Sequence, residues 1–179
     1  MTYISLGKQR AEDAAELFRS VFAASEGGEE GALIGDLARR LLTDTPTADL
    51  HAFAAQDGSA LLGVILFSRL VFDGDERSVF VMGPVAVASP AQGRGVGQAL
   101  IRHGLATLAA AGVDVALTYG DSAYYSRVGF APITEADVPA PFPLRFPEGW
   151  LGQSLTSARL TPITGPSRCV PAFDDPAFW

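Results

Sequence analysis

Three glycines alternate in Gln92-Gly93-Arg94-Gly95-Val96-Gly97, and their flanks restrict the chain more than any other feature. Before them runs Ser78-Val-Phe-Val-Met-Gly-Pro-Val-Ala-Val-Ala88, apolar and rich in β-branched residues, as a strand requires. After them Val96, Ala99, Leu100, Leu105, Leu108 and Ala109 recur at helical spacing, and Gly112 supplies a C-terminal cap. A strand that turns on glycines into a helix leaves unscreened backbone N–H groups at the helix N-terminus, a place for a phosphate or pyrophosphate. The dinucleotide pattern G-x-G-x-x-G fails at Gln98, and no Gly-Lys-Ser/Thr follows for a nucleotide P-loop. A tight turn with glycines kept only for packing is the remaining alternative.

The rest of the chain supplies the setting. Residues 10–22 carry Ala11, Ala14, Ala15, Leu17, Phe18, Val21 and Phe22 at helical spacing, with Glu12 and Asp13 suited to a first turn. Residues 25–31, Ser-Glu-Gly-Gly-Glu-Glu-Gly, predict a loop. Leu33, Ile34, Leu37, Leu41 and Leu42 mark a second helix, ended by residues 43–47 with Pro46. A hairpin is expected over 51–55 and 60–72, and a turn at 73–76 leads into the strand 78–88. Residues 113–118 have the texture of a buried strand, and 122–128 of a short helix closed by Gly129. Pro139, Pro141, Pro143 and Pro147 make 134–150 an irregular excursion; 155–160 is expected as a last strand, before an aromatic, proline-rich tail over 171–179. The order of two helices, an antiparallel meander, then strand, helix and strand predicts a mixed α/β sheet in one domain over 1–179, with its core at 3–133.

Composition limits what such a domain does. Of 179 residues, 48% are hydrophobic and 18% charged, enough apolar material for a real core. The longest apolar run, 60–67, contains Gly63 and is cut by Ser68 and Arg69, whereas crossing a bilayer takes about 20 residues. The first residues lack the charged head and apolar run of a secretory signal, so a soluble, cytoplasmic protein is expected, without a membrane. A net charge of −7 disfavours nucleic acid as a partner. One cysteine, Cys169, and two histidines predict no metal site.

The stretch Gln92-Gly93-Arg94-Gly95-Val96-Gly97 fits Gln/Arg-x-x-Gly-x-Gly/Ala and resembles the acetyl-CoA pyrophosphate loop of the GNAT superfamily of N-acetyltransferases. Gly120-Asp-Ser-Ala-Tyr-Tyr-Ser-Arg-Val-Gly-Phe130 resembles the same superfamily, especially its YhbS-type members, with Tyr125 four residues before Gly129-Phe130. The resemblance spans roughly 4–160, with sharp motifs only over 83–130. It implies a GNAT-like acyl-CoA N-acyltransferase fold: a mostly antiparallel sheet with a central splayed parallel strand pair, flanked by helices. It also implies acetyl-CoA as cosubstrate, a pantetheine arm along Val85, Ala86 and Val87, and a pyrophosphate on the amides of Gly93, Arg94, Gly95, Val96 and Gly97, with Gln92 and Asp121 nearby. Pro84 beside Gly83 fits a bulge or strand edge, or simply a bend.

Acetyl transfer to an amine needs a polarised carbonyl and a proton for the departing thiolate. Tyr125 stands where the family places its general acid; one of Tyr124 and Tyr125 is expected to face the cleft, unless both are packing aromatics. The strand 78–88 lacks the glutamate that serves many relatives as base, and Asp121 is either a candidate or an N-cap. Glycine is missing where a serine-nucleophile elbow needs it, at Tyr124, and His103 is expected as a surface histidine. The expected acceptor is a primary amine on a small molecule or a protein, taken by direct transfer. Glu26, Glu29, Glu30, Glu135 and Asp137 are expected to frame its entry and to favour cations. The alternative is a CoA-binding sensor of the same fold without catalysis; pairing into a homodimer is left open.

Overall fold

The computed structural model describes residues 1–179. In chain order the elements are β1 (Thr2–Ser5), α1 (Ala11–Glu26), α2 (Gly28–Asp44), β2 (Leu50–Asp57), β3 (Ala60–Phe72), β4 (Asp75–Val87) and α3 (Val96–Ala110). There follow β5 (Val115–Tyr119), α4 (Ser122–Tyr125), β6 (Ala131–Pro132), β7 (Trp150–Ser154) and β8 (Ser167–Arg168). The strands hydrogen-bond in the order β1-β2-β3-β4-β5-β7-β6, with β8 on β3. The sheet is mostly antiparallel and holds one parallel pair, β4 with β5. Two compact units emerge: residues 1–67 with 84–104, and residues 68–83 with 105–179.

In the first unit the loop expected at 25–31 is reduced to Gly27. Its φ of +102° ends α1, its N–H donates to Ala23 O at 3.1 Å, and α2 starts at the next residue. Glu29 and Glu30, expected in that loop, instead occupy the first turn of α2, where the helix dipole favours carboxylates. The two helices approach closely because small residues face the contact. A Cβ on Gly31 would lie 2.5 Å from Arg19 O, and one on Gly35 2.9 Å from Ala15 O. β1, which has no periodic signal of its own, pairs with β2 from Thr2↔Gln56 to Ser5↔Phe53. Gly104 of α3 packs on Ile65 and Phe67 of β3, where a Cβ would meet them at 2.7 and 2.8 Å.

In the second unit β5 is the centre. It pairs with β4 from Val79↔Val115 to Met82↔Thr118, and with β7 from Val115↔Ser154 to Tyr119↔Trp150. The last long strand is therefore 150–154, not 155–160 as expected. Leu155 N–H closes the ladder on Asp114 O at 2.8 Å, and Ser154 Oγ then accepts from Thr156 N–H at 3.2 Å, turning the chain away. Gly152, unusual within a strand, is crowded: its Cβ would meet Leu117 and Leu160 at 3.0 Å each. Trp150 is fully buried and donates Nε1–H to Val138 O at 2.8 Å. The aromatic tail closes over it, with the Trp179 ring 6.1 Å from that of Trp150 and edge-on to it. No helix is long and apolar enough to cross a membrane.

Candidate active site

The residues singled out by the glycine pattern lie together in the first unit. β4 ends at Val87, Ala88 N–H donates to Leu62 O at 2.9 Å, and a turn over Ser89–Ala91 leads to Gln92. The Gln92 side chain donates Nε2–H to Val87 O at 2.9 Å, tying the loop back to the strand it leaves. Gly93 and Gly95 have φ of +72° and +77°, conformations that L side chains rarely adopt. A Cβ at either would meet nothing within 4 Å, and both are exposed. Packing therefore does not explain these two glycines; backbone conformation and an uncluttered surface do. Val96 and Gly97, both buried, begin α3, and Gly95 O accepts from Ala99 N–H at 3.0 Å. The first amides of a helix have no partner within it, and here they follow a loop without side-chain cover. Arg94 is exposed, Ala86 is buried, and Val85 and Val87 are half-buried.

Tyr125 is placed within the second unit. The parallel ladder stops at Met82↔Thr118, where buried Thr118 donates Oγ1–H to Met82 O at 3.0 Å. β5 ends one residue later, and Asp121 opens α4 by accepting Ala123 N–H at 2.9 Å on its carboxylate. Asp121 thus takes the N-cap role. The Tyr125 ring lies over Gly120, where a Cβ would come within 2.9 Å of Cε2. Phe130 meets the ring edge-on at 6.0 Å. Tyr124 does so at 5.1 Å, with the two rings nearly perpendicular and both half-buried. α4 has four residues and passes into a tighter turn closed by Gly129 at φ +98°.

The hydroxyls differ electrostatically. Burial pushes Tyr125 up to about 12; a charge on Tyr124 would add to this, and a hydrogen bond with Thr118 opposes it. Tyr124 rises as well, through burial, with Arg127 pulling the other way. Tyr125 is the phenol held most firmly in its protonated, proton-donating form.

The supporting contacts of three residues escaped the sequence patterns. Gly120 makes room for the Tyr125 ring and donates its N–H to Gly149 O at 2.9 Å; Tyr119 Oη accepts Phe146 N–H at 2.7 Å. Both anchor the 134–150 excursion on the end of β5. Gln92 is the third: its motif position was legible, its tether to Val87 was not. No carboxylate lies on β4 between Ser78 and Val87. Glu135 accepts Leu144 N–H at 3.4 Å, and Asp137 accepts the Thr134 hydroxyl at 3.0 Å. His103, expected at the surface, is half-buried and stacks on Tyr3 at 4.8 Å.

Residues 12–130 match the model of the acetyltransferase (GNAT) family. The uncharacterised N-acetyltransferase YjhQ of Escherichia coli (strain K12) is 36% identical over 142 residues, covering 75% of this chain and 77% of YjhQ. A GNAT family acetyltransferase from Brucella melitensis, solved in complex with acetyl-CoA, is 25% identical, with a TM-score of 0.74 over 97% of each chain. YhbS from Escherichia coli, solved in complex with CoA, shares the fold with a TM-score of 0.82 at 24% identity, over 97% of this chain and 92% of that one. The strand–glycine loop–helix and the tyrosine before Gly129-Phe130 both fall within the matched residues, and the chain belongs to the acetyltransferase (GNAT) family.

Proposed function

We propose that this enzyme moves the acetyl group of acetyl-CoA directly onto a primary amine, on a small molecule or a protein. One observation carries the proposal: β4 runs into two exposed, left-handed glycines that no packing requires, at the N-terminus of α3. In this assignment the amides of Gly93, Arg94, Gly95, Val96 and Gly97 hold the pyrophosphate, aided by the positive end of the helix. Gln92 keeps the loop against the strand, and the backbone of Val85, Ala86 and Val87 pairs with the pantetheine arm. Acetyl-CoA in the Brucella melitensis complex and CoA in the YhbS complex support that donor.

The amine nitrogen attacks the thioester carbonyl; a C–N bond forms and the C–S bond breaks. The sulfur leaves with the bonding electrons and takes a proton from Tyr125 Oη, which water then restores. The nitrogen gives up its surplus proton to water, because no carboxylate lies on β4 between Ser78 and Val87 and Asp121 is engaged in capping α4. The test is release of free CoA thiol from acetyl-CoA across a panel of polyamines, aminoglycosides, amino acids and lysine peptides. Turnover of at least one is expected. CoA binding without turnover of any amine would replace the proposal with a non-catalytic CoA-binding module.

A further inference from the structure

The second unit holds a cavity of about 710 Å³ beside β6 and β7 that shares no residue with the proposed acetyl-CoA site or with Tyr125, although Asp137, expected to frame the acceptor's entry, lines it. Gly129 and Gly152 line it, and the side chains of Gln153, Ile133 and Leu160 occupy the space their own side chains would take. Ile133 and Leu160 supply an apolar wall, their methyl groups 3.2 and 3.0 Å from where a Cβ on Gly152 would lie. Two opposite charges, Asp137 and Arg159, line the same space, both exposed, and they do not pair with each other. Arg159 makes no ion pair, whereas Arg77 nearby is fully engaged. The Thr134 hydroxyl reaches only Oδ2 of Asp137, leaving Oδ1 available.

The walls are fixed by contacts distant in sequence. Asp75 holds the Arg77 guanidinium at 2.6 Å, and Arg77 donates to Thr161 O at 3.2 Å and to Pro162 O at 2.8 Å on the cavity rim. Asp137 O accepts Ile163 N–H at 2.8 Å, and Gln153 donates to Val128 O at 3.2 Å. A rigid rim around two opposite, unpaired charges does little for folding and suits a ligand that carries both counter-charges.

We infer that this cavity binds a zwitterion with an apolar side chain, a free α-amino acid or a short peptide. Its carboxylate meets Arg159, its ammonium meets Asp137, and its side chain lies on Ile133 and Leu160. Arginine suits a carboxylate because its planar fork offers two parallel donors.

The test is calorimetric titration of the full chain with L-leucine and L-leucyl-L-leucine, beside isopentylamine and isovalerate, which each carry one charge only. At least one zwitterion should bind saturably, with both single-charge analogues markedly weaker. Arg159→Gln and Asp137→Asn should each weaken it by about tenfold or more, while CoA binding, measured in parallel, stays at the wild-type value. Absence of saturable binding by both zwitterions overturns the inference. So does an analogue binding as tightly, or affinity that survives both substitutions. None of these outcomes depends on whether an amine is acetylated.

Discussion

Replacing Gly95 isolates what the glycine loop does, because this position separates backbone conformation from packing. At φ +77° an L side chain is disfavoured, and a Cβ there touches nothing within 4 Å. The cost of Gly95→Ala is therefore conformational alone, about 1–2 kcal/mol for a residue held left-handed. In the free protein the exposed loop escapes that cost by relaxing, and binding must then restore the strained form. CoA affinity should fall by the same free energy, roughly five- to thirty-fold. Gly95→Asn should lose less, since asparagine tolerates the left-handed region. Gly95→Glu should lose more, because it adds a carboxylate where phosphates are proposed to sit. Gly112→Ala provides the control, with a φ of +86° at the far end of α3: it should lower stability and leave CoA affinity alone. The assay is titration calorimetry with CoA at fixed ionic strength. Wild-type affinity in both Gly95→Ala and Gly95→Glu would refute the assignment of the loop.

Tyr125→Phe should reduce kcat by about 10²–10⁴-fold with little change in acetyl-CoA affinity, whereas Tyr124→Phe should mainly affect stability; wild-type turnover in Tyr125→Phe would remove the acid role. Because burial lifts Tyr125 from the ordinary value of about 10 to about 12, its contribution to stability is present below pH ~10 and fades as pH rises towards 12. Urea melts across that range should show Tyr125→Phe losing less stability than wild type. Gly31→Leu should destabilise the chain by about 1–3 kcal/mol or more by forcing α1 and α2 apart, and an unchanged denaturation midpoint would contradict their close approach. Burial raises the Cys169 thiol to about 11, so its reaction with a disulfide reagent at pH 8 should be slow until the chain is unfolded.

What the sequence determined by itself was local. The alternating glycines between an apolar strand and a helical period marked the loop, and α3, β3 and most of β4 lie where periodicity put them. The place of Tyr125 relative to Gly129-Phe130 was legible through the resemblance to the family, whereas the short helix and its glycine cap are specified by neighbours in the chain. Where long-range pairing chose between alternatives, the sequence was silent or misleading. β1 is a four-residue strand with no pattern of its own, and β2 makes it one by supplying hydrogen-bond partners. β5 recruited Trp150–Ser154 rather than 155–160, because burial of Trp150 and the crowded Gly152 outweighed local strand preference. The glycine-rich 25–31 became two helices joined at one residue, since packing of α1 on α2 uses Gly31 and Gly35 as contact surface rather than as flexible chain. The tether from Gln92 to Val87, the space Gly120 leaves for Tyr125 and the cavity between Asp137 and Arg159 have the same origin. Each depends on which side chain ends up facing which backbone, and that is decided only when distant segments pack.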